Sequence, residues 1–249
     1  MKALLSLSIL FLILPLAAYQ DAGFTVFSPS ALSEGETELS IFHRFQGPVD
    51  EDVWNTLFGL NSGANVSLGI RRSLPFRLEA KASYTRARKR VELGSSWRPT
   101  PETSPVAAQI DVAWFSFAET GVEERRNNFL VLASAQNRYQ SRYATLTLNA
   151  GYDGYYERFI SGAALQVKLG EETALVGEYY PVWDRNSAPP ALKQYLGKRD
   201  SYAFGVKFGT WGHHFIFSLS NSWQSHPATM SLGTDDSDLY LGFNIHRRF

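Results

Sequence analysis

The chain has no cysteine among its 249 residues. Disulfides and thiolate metal sites are therefore excluded. It also lacks an excess of charge of either sign, with 24 Lys+Arg against 24 Asp+Glu. No global electrostatic pull toward nucleic acid or an anionic surface follows from that balance, and no nucleic-acid partner is expected. Past the N-terminus no segment approaches 18 consecutive apolar residues, the length a membrane-crossing helix needs. A bundle of transmembrane helices is thereby excluded. No internal repeat or low-complexity segment stands out.

The chain is rich in aromatics, which make up 14% of it. That is high for a soluble domain and expected where aromatic girdles sit at two membrane interfaces. Met1-Lys2 is followed by residues 3–16, which are apolar apart from Ser6 and Ser8, and then by small residues Ala17 and Ala18. About 14 apolar residues would span only about 21 Å as a helix, so the pattern reads as a secretory signal peptide over 1–20. An uncleaved anchor is the alternative. Residues 21–35 carry no regular pattern and read as a periplasmic lead-in.

From Glu36 onward the apolar residues recur with period two. Leu239, Leu241, Phe243, Ile245 and Phe249 share one face, and Tyr240, Gly242, Asn244, His246 and Arg248 the other. Phe215, Phe217 and Leu219 alternate with Ser218 and Ser220. The spacing predicts twelve strands, roughly at 36–46, 65–74, 76–85, 88–98, 105–118, 127–138, 143–154, 159–169, 173–183, 200–210, 213–224 and 238–249. Twelve is even, and segments of about 10 residues suit a tilted crossing of the hydrocarbon layer. The odd connections 47–64, 119–126, 184–199 and 225–237 are long, while the even ones Leu74-Pro75, 139–142, 170–172 and Gly212 are short; two odd connections, near 86–88 and 155–158, are short and run against the trend. That sorting matches long external loops and short periplasmic turns. The expected fold is all-β: a closed antiparallel up-and-down transmembrane β-barrel over 36–249, in the bacterial outer membrane. A soluble secreted β-protein is the structural alternative. Periodicity alone does not say which face looks outward.

Several stretches resemble a known family. They are Glu38-Leu39-Ser40-Ile41-Phe42-His43-Arg44-Phe45, then Leu57-Phe58-Gly59-Leu60 continuing through Gly63 to Ile70, then Gly212-His213-His214-Phe215-Ile216-Phe217-Ser218-Leu219-Ser220-Asn221-Ser222, and finally Leu241-Gly242-Phe243-Asn244-Ile245-His246-Arg247-Arg248-Phe249. Together they resemble the bacterial barrel family catalogued as domain of unknown function number 5777, over nearly the whole mature chain. The resemblance implies a barrel and supplies no catalytic residues.

Candidate functional residues follow from the alternation. Arg71, Lys81, Gln166, Lys168, Lys207, His246 and Arg248 fall on the polar face and would line a lumen, with Glu79, Glu92 and Asp153 offsetting their charge. Twelve strands enclose more space than the filled eight-stranded case. These residues would line a narrow path for small solutes or form a plugging salt-bridge network. Tyr240, Gly242, Phe243, Ile245 and Phe249 read as the C-terminal signal that barrel-assembly machinery recognises by edge pairing. Arg86, Arg88, Lys89 and Arg90 lie near a connection and read as a solvated turn. Trp97, Trp114, Trp183, Trp211 and Trp223 sit at strand ends and read as interface anchors.

His213 and His214 point to opposite faces and cannot easily share a metal. His43 and His246 would approach if the barrel closes. Ser218, Ser220 and Ser222 form one polar stripe, but a hydrolase also needs an activating imidazole at matching depth. No enzyme, cofactor or metal site is expected. The functional readings, in order, are a small pore for passive or selective passage of solutes, a non-conducting barrel serving as membrane anchor or partner platform, and an outer-membrane lipid-modifying enzyme. Expected partners are outer-membrane lipid, the assembly machinery and a small solute; the oligomeric state is left open.

Overall fold

The computed structural model describes residues 23–29, 32–118, 124–138, 143–183, 185–210 and 212–249. Twelve strands form it: β1 (Thr37–Pro48), β2 (Ala64–Leu74), β3 (Leu78–Thr85), β4 (Arg90–Trp97), β5 (Val106–Ala118), β6 (Arg125–Asn137), β7 (Ala144–Asp153), β8 (Arg158–Lys168), β9 (Thr173–Tyr180), β10 (Ser201–Thr210), β11 (His213–Ser220) and β12 (Tyr240–Arg248). Each pairs antiparallel with its sequence neighbours, and β1 pairs with β12 to close the ring. Three single-turn helices lie in connections: α1 (Val53–Thr56), α2 (Pro190–Lys193) and α3 (Pro227–Met230). Helix α1 is bounded on both sides by left-handed residues Asp52 and Leu57.

The seam sets Glu38 opposite Arg248, Ile41 opposite Ile245 and Arg44 opposite Gly242. Phe249 extends it, because its N–H donates to the Thr37 carbonyl and the Thr37 N–H donates back. Removing Phe249 deletes this last backbone pair together with the terminal aromatic. We expect the variant to assemble several-fold less efficiently, read as loss of the heat-modifiable folded band in membrane fractions.

The structure decides which face looks outward. Leu68, Ile70, Leu93, Phe129, Leu148, Phe159, Phe204 and Phe217 are all exposed around the wall. Their polar neighbours Ser67, Asn149, Gln166, Lys207 and Ser218 are buried. A ring of exposed large apolar side chains over β1 to β11 is far more than a soluble monomer presents. In hydrocarbon the same ring is the favourable arrangement, since the closed ladder satisfies every backbone amide. The chain is a closed twelve-stranded membrane β-barrel.

Connections 49–63, 181–200 and 221–239 lie at one end, and 75–77, 169–172 and 211–212 at the other. The shorter 86–89 and 154–157 share the long-loop end. Two segments outside the strands turn into the lumen. Residues 23–28, part of the stretch read as a periplasmic lead-in, place Phe24, Thr25, Val26 and Ser28 in fully buried positions. From the long-loop end, the β11–β12 connection folds inward and buries His226, Ala228, Met230 and Leu232.

These segments fill the apolar half of an asymmetric lumen. Phe24 packs with Val176, Ala203 and Ile216. Val26 packs with Ala164, Tyr180 and Met230, so the two segments meet. Phe115, Phe117, Leu130, Leu132 and Ile160 surround Ala228, with Phe27 against them. Gly162 is required here: a Cβ on it would meet the Tyr180 ring at 2.6 Å. The period-two pattern hides this packing, because apolar residues occur on both faces of β5, β6 and β8–β11.

Candidate functional site

The other half of the lumen, along β1–β5 and β12, is charged. Glu38 is its hub. Arg71 Nε donates to Glu38 Oε1 at 2.9 Å, His246 Nδ1 lies 3.1 Å from the same oxygen, and Arg248 Nε is 3.6 Å from Oε2. Arg71 also approaches Glu79 at 3.9 Å. Lys81 Nζ donates to Asp111 Oδ1 at 2.7 Å, and across the barrel Lys207 Nζ donates to Gln166 Oε1 at 3.2 Å. Arg44, buried, donates to Asn244 Oδ1 at 2.7 Å. Each buried cation thus has an acceptor in reach, as burial of charge demands.

All seven residues expected to line the lumen stand on inward-facing positions. Arg71, Lys81 and His246 border a cavity of about 180 Å³ between the charged wall and residues 23–28. Lys168, Gln166 and Lys207 lie together at the short-turn end. Arg248 joins the Glu38 cluster. Sequence reasoning missed Glu38, Arg44, Asp111, Asn149, Glu178 and Asn244. Strand parity was the available signal for five of them, which sit at even spacing from a polar neighbour on their own strand, whereas Glu178 stands among Ala174, Val176 and Tyr180.

Three of the missed residues hold the N-terminal segment. Glu178 Oε2 accepts from the backbone N–H groups of Phe24, Thr25 and Val26 at 2.9, 2.9 and 3.1 Å, and Oε1 accepts from Thr25 Oγ1 at 2.6 Å. Asn149 makes a reciprocal pair with Phe27, accepting from its N–H at 2.8 Å and donating to its carbonyl at 2.6 Å. Asn244 donates to the Phe24 carbonyl at 3.1 Å. A carboxylate that gathers three consecutive N–H groups is a strong, charge-assisted clasp.

The second segment is fixed by His226 and Arg158. The His226 Nδ1 accepts from the Ala228 N–H at 3.2 Å, capping α3. That leaves the ring proton on Nε2, which lies 3.2 Å from Glu92 Oε2. Arg158 donates to the Ser231 carbonyl at 3.1 Å. The ring packs edge-on against Phe27 at 6.0 Å and Phe115 at 5.4 Å, a direct contact between the two segments.

Burial pushes the His226 imidazole down to about 4, and nearby Arg90 and Lys81 add to this against the opposing pull of Glu92. Its ordinary value is 6.5, so below that pH an undocked segment binds a proton that the docked one resists. Docking is therefore fully favourable above pH 6.5 and weakens as pH falls toward 4, by about 3 kcal/mol at most. We expect protease sensitivity within 221–239 to rise between pH 6.5 and 4, and His226→Gln to flatten that dependence.

Several readings need correction. His43 and His246 do not approach: His43 faces outward, stacked on Phe243 at 4.8 Å, whereas His246 faces the lumen. The register explains it, since His246 is opposite Ser40 and His43 opposite Phe243. Arg90 is not part of a solvated turn, because it opens β4 on an inward position and is buried. Trp223 borders a lumen cavity rather than the membrane interface, while Trp97 and Trp183 are exposed on the wall. Trp211 lies outside the described residues. The hydroxyls of Ser220 and Ser222 meet backbone groups and that of Ser218 has no hydrogen-bond partner, so none contacts an imidazole.

Solved structures share the barrel. The KdgM porin superposes with a TM-score of 0.54 at 7% identity, over 85% of this chain and 99% of that one. The KdgM porin in complex with disordered oligogalacturonate gives 0.51 at 6%, over 86% and 99%. Outer membrane phospholipase A from Escherichia coli reaches 0.48 at 9%, over 88% and 93%. At these identities the likeness concerns the fold alone. No curated protein matches the chain in sequence. The resemblance noted above is matched across β7 to β12, while the stretches at 38–45 and 57–70 fall outside it: the family described as "Membrane bound beta barrel domain (DUF5777)" covers residues 143–249 of this chain.

Proposed function

We propose that the protein is an outer-membrane, porin-like channel for small polar solutes, held shut by its two inserted segments. The carrying observation is what closes the lumen. A barrel built to be solid fills its centre with side chains from its own strands. Here the centre is filled by residues 23–28 and the β11–β12 connection, neither of which belongs to the wall. Segments held by side-chain clasps leave without breaking the ladder. Their departure would join the two cavities, of about 180 and 400 Å³, along a polar wall. The porin fold of the structural relatives supports the reading, as does the mixed charge of the lumen. In this reading the wall contacts outer-membrane lipid, Tyr240, Gly242, Phe243, Ile245 and Phe249 serve the assembly machinery, and catalysis plays no part.

The test is conductance in planar bilayers. The full-length protein is expected to stay mostly closed, and a variant lacking residues 23–29 to show long-lived steps. If the deleted variant folds and carries no current even near pH 4, where the second segment is loosened, the channel reading falls. The Glu38–Arg71–His246–Arg248 cluster favours the second reading, a non-conducting anchor, and that outcome would establish it.

A further inference from the structure

The larger cavity, about 400 Å³, lies at the long-loop end and combines two features. Four aromatic side chains border it: Phe115, Phe117, Tyr156 and Trp223. Among its polar groups, three buried atoms have no hydrogen-bond partner: Asp153 Oδ2, Asn128 Oδ1 and Arg90 Nε. Asp153 is 0% exposed and Asn128 3%. Asp153 spends its other oxygen on Asn128 Nδ2 at 2.9 Å and on the N–H groups of Tyr155 and Tyr156 at 2.9 and 3.0 Å. That network leaves both acceptors unanswered at two residues that border the same cavity. Buried polar atoms are almost always satisfied, so three orphans bordering one cavity point to a ligand.

Their chemistry says what kind. Two acceptors and one donor are left open. A hydroxyl both donates and accepts, so a polyol satisfies all three. An anion offers acceptors only, would leave Asp153 and Asn128 unanswered, and would meet the Asp153 carboxylate. Aromatic walls suit the C–H faces of a sugar ring, and the volume falls in the range of small-molecule sites, about 300–1,000 Å³. We propose that this cavity is a binding site for a neutral saccharide. As a statement of the solute class it rests on the channel reading, though binding itself does not require passage.

Isothermal titration of the full-length protein in detergent with D-glucose and maltose tests the site. Saturable binding is expected, with D-glucuronate at least about tenfold weaker than glucose. Asn128→Leu and Trp223→Leu each should weaken binding about tenfold or more, with the heat-modifiable mobility of each variant confirming its fold. Two variants are used so that failure of one to fold leaves the other informative. No saturable heat with either sugar, unchanged affinity in a folded variant, or preference for glucuronate would overturn the proposal. Potassium chloride conductance of the variant lacking 23–29, recorded without sugar, separates the two readings. Current without saccharide binding retires the site and keeps the channel, and binding without current does the reverse.

Discussion

Glu178→Ala is expected to raise the open fraction of the barrel about 100-fold. The carboxylate is the acceptor for three consecutive backbone N–H groups and for Thr25 Oγ1. Hydrogen bonds to a charged group contribute about 1.5–3 kcal/mol each when net effects are counted. Water admitted at the vacated position offsets part of the loss, so about 3 kcal/mol of docking free energy is a reasonable total. At 1.4 kcal/mol per factor of ten, that is about two orders of magnitude in the docked-to-undocked ratio. The remaining holds, Asn149 and Asn244, are neutral and weaker. The ladder is untouched, because the Glu178 side chain points away from its backbone pairing with Ala164 and Ala203. Single-channel recording gives the open fraction directly. An unchanged closed state in a folded Glu178→Ala protein would mean that residues 23–28 are not the gate.

Phe217→Arg should cost about 2–4 kcal/mol of folding stability in a bilayer, the penalty for an arginine facing lipid near the midplane. Phe217 is 51% exposed, sits mid-strand between Val206 and Phe243, and contacts the rings of Phe208 and Phe243 at 5.7 and 6.3 Å. Denaturant titration in lipid vesicles measures the loss. In a water-soluble barrel the same change would be neutral or mildly favourable, since it removes an exposed apolar ring. Stability equal to wild type would therefore contradict membrane placement of this wall. The position also separates the two faces sharply, because its neighbour Ser218 is buried in the lumen.

The ring itself is legible in the sequence. Alternation at 239–249 and 213–224 marks β12 and β11 within a few residues, and the structure has the twelve strands that the spacing predicts. Strand parity also set the seven named residues on the inward side of their strands, since inward and outward positions alternate along a regularly paired strand. Glu38 was equally visible by parity, but Glu178 stands on a side of β9 otherwise made of Ala174, Val176 and Tyr180, and a carboxylate in isolation does not announce which backbone it will meet. Residues 23–28 defeated pattern reading for a related reason: Phe24 and Val26 alternate over too short a span to register as an element. His43 failed because register across the seam, and not sequence position, sets what a residue faces.

Backbone hydrogen-bonding demand in hydrocarbon leaves only a closed ladder for a span with this alternation, so the amino-acid order alone determined a barrel of this size. What fills the barrel was decided by tertiary structure. The lumen becomes half apolar and half charged only when twelve strands are brought round in register. That division selects where the two inserted segments dock, and it leaves one cavity against the charged wall and a larger one bordered by Phe115 and Phe117.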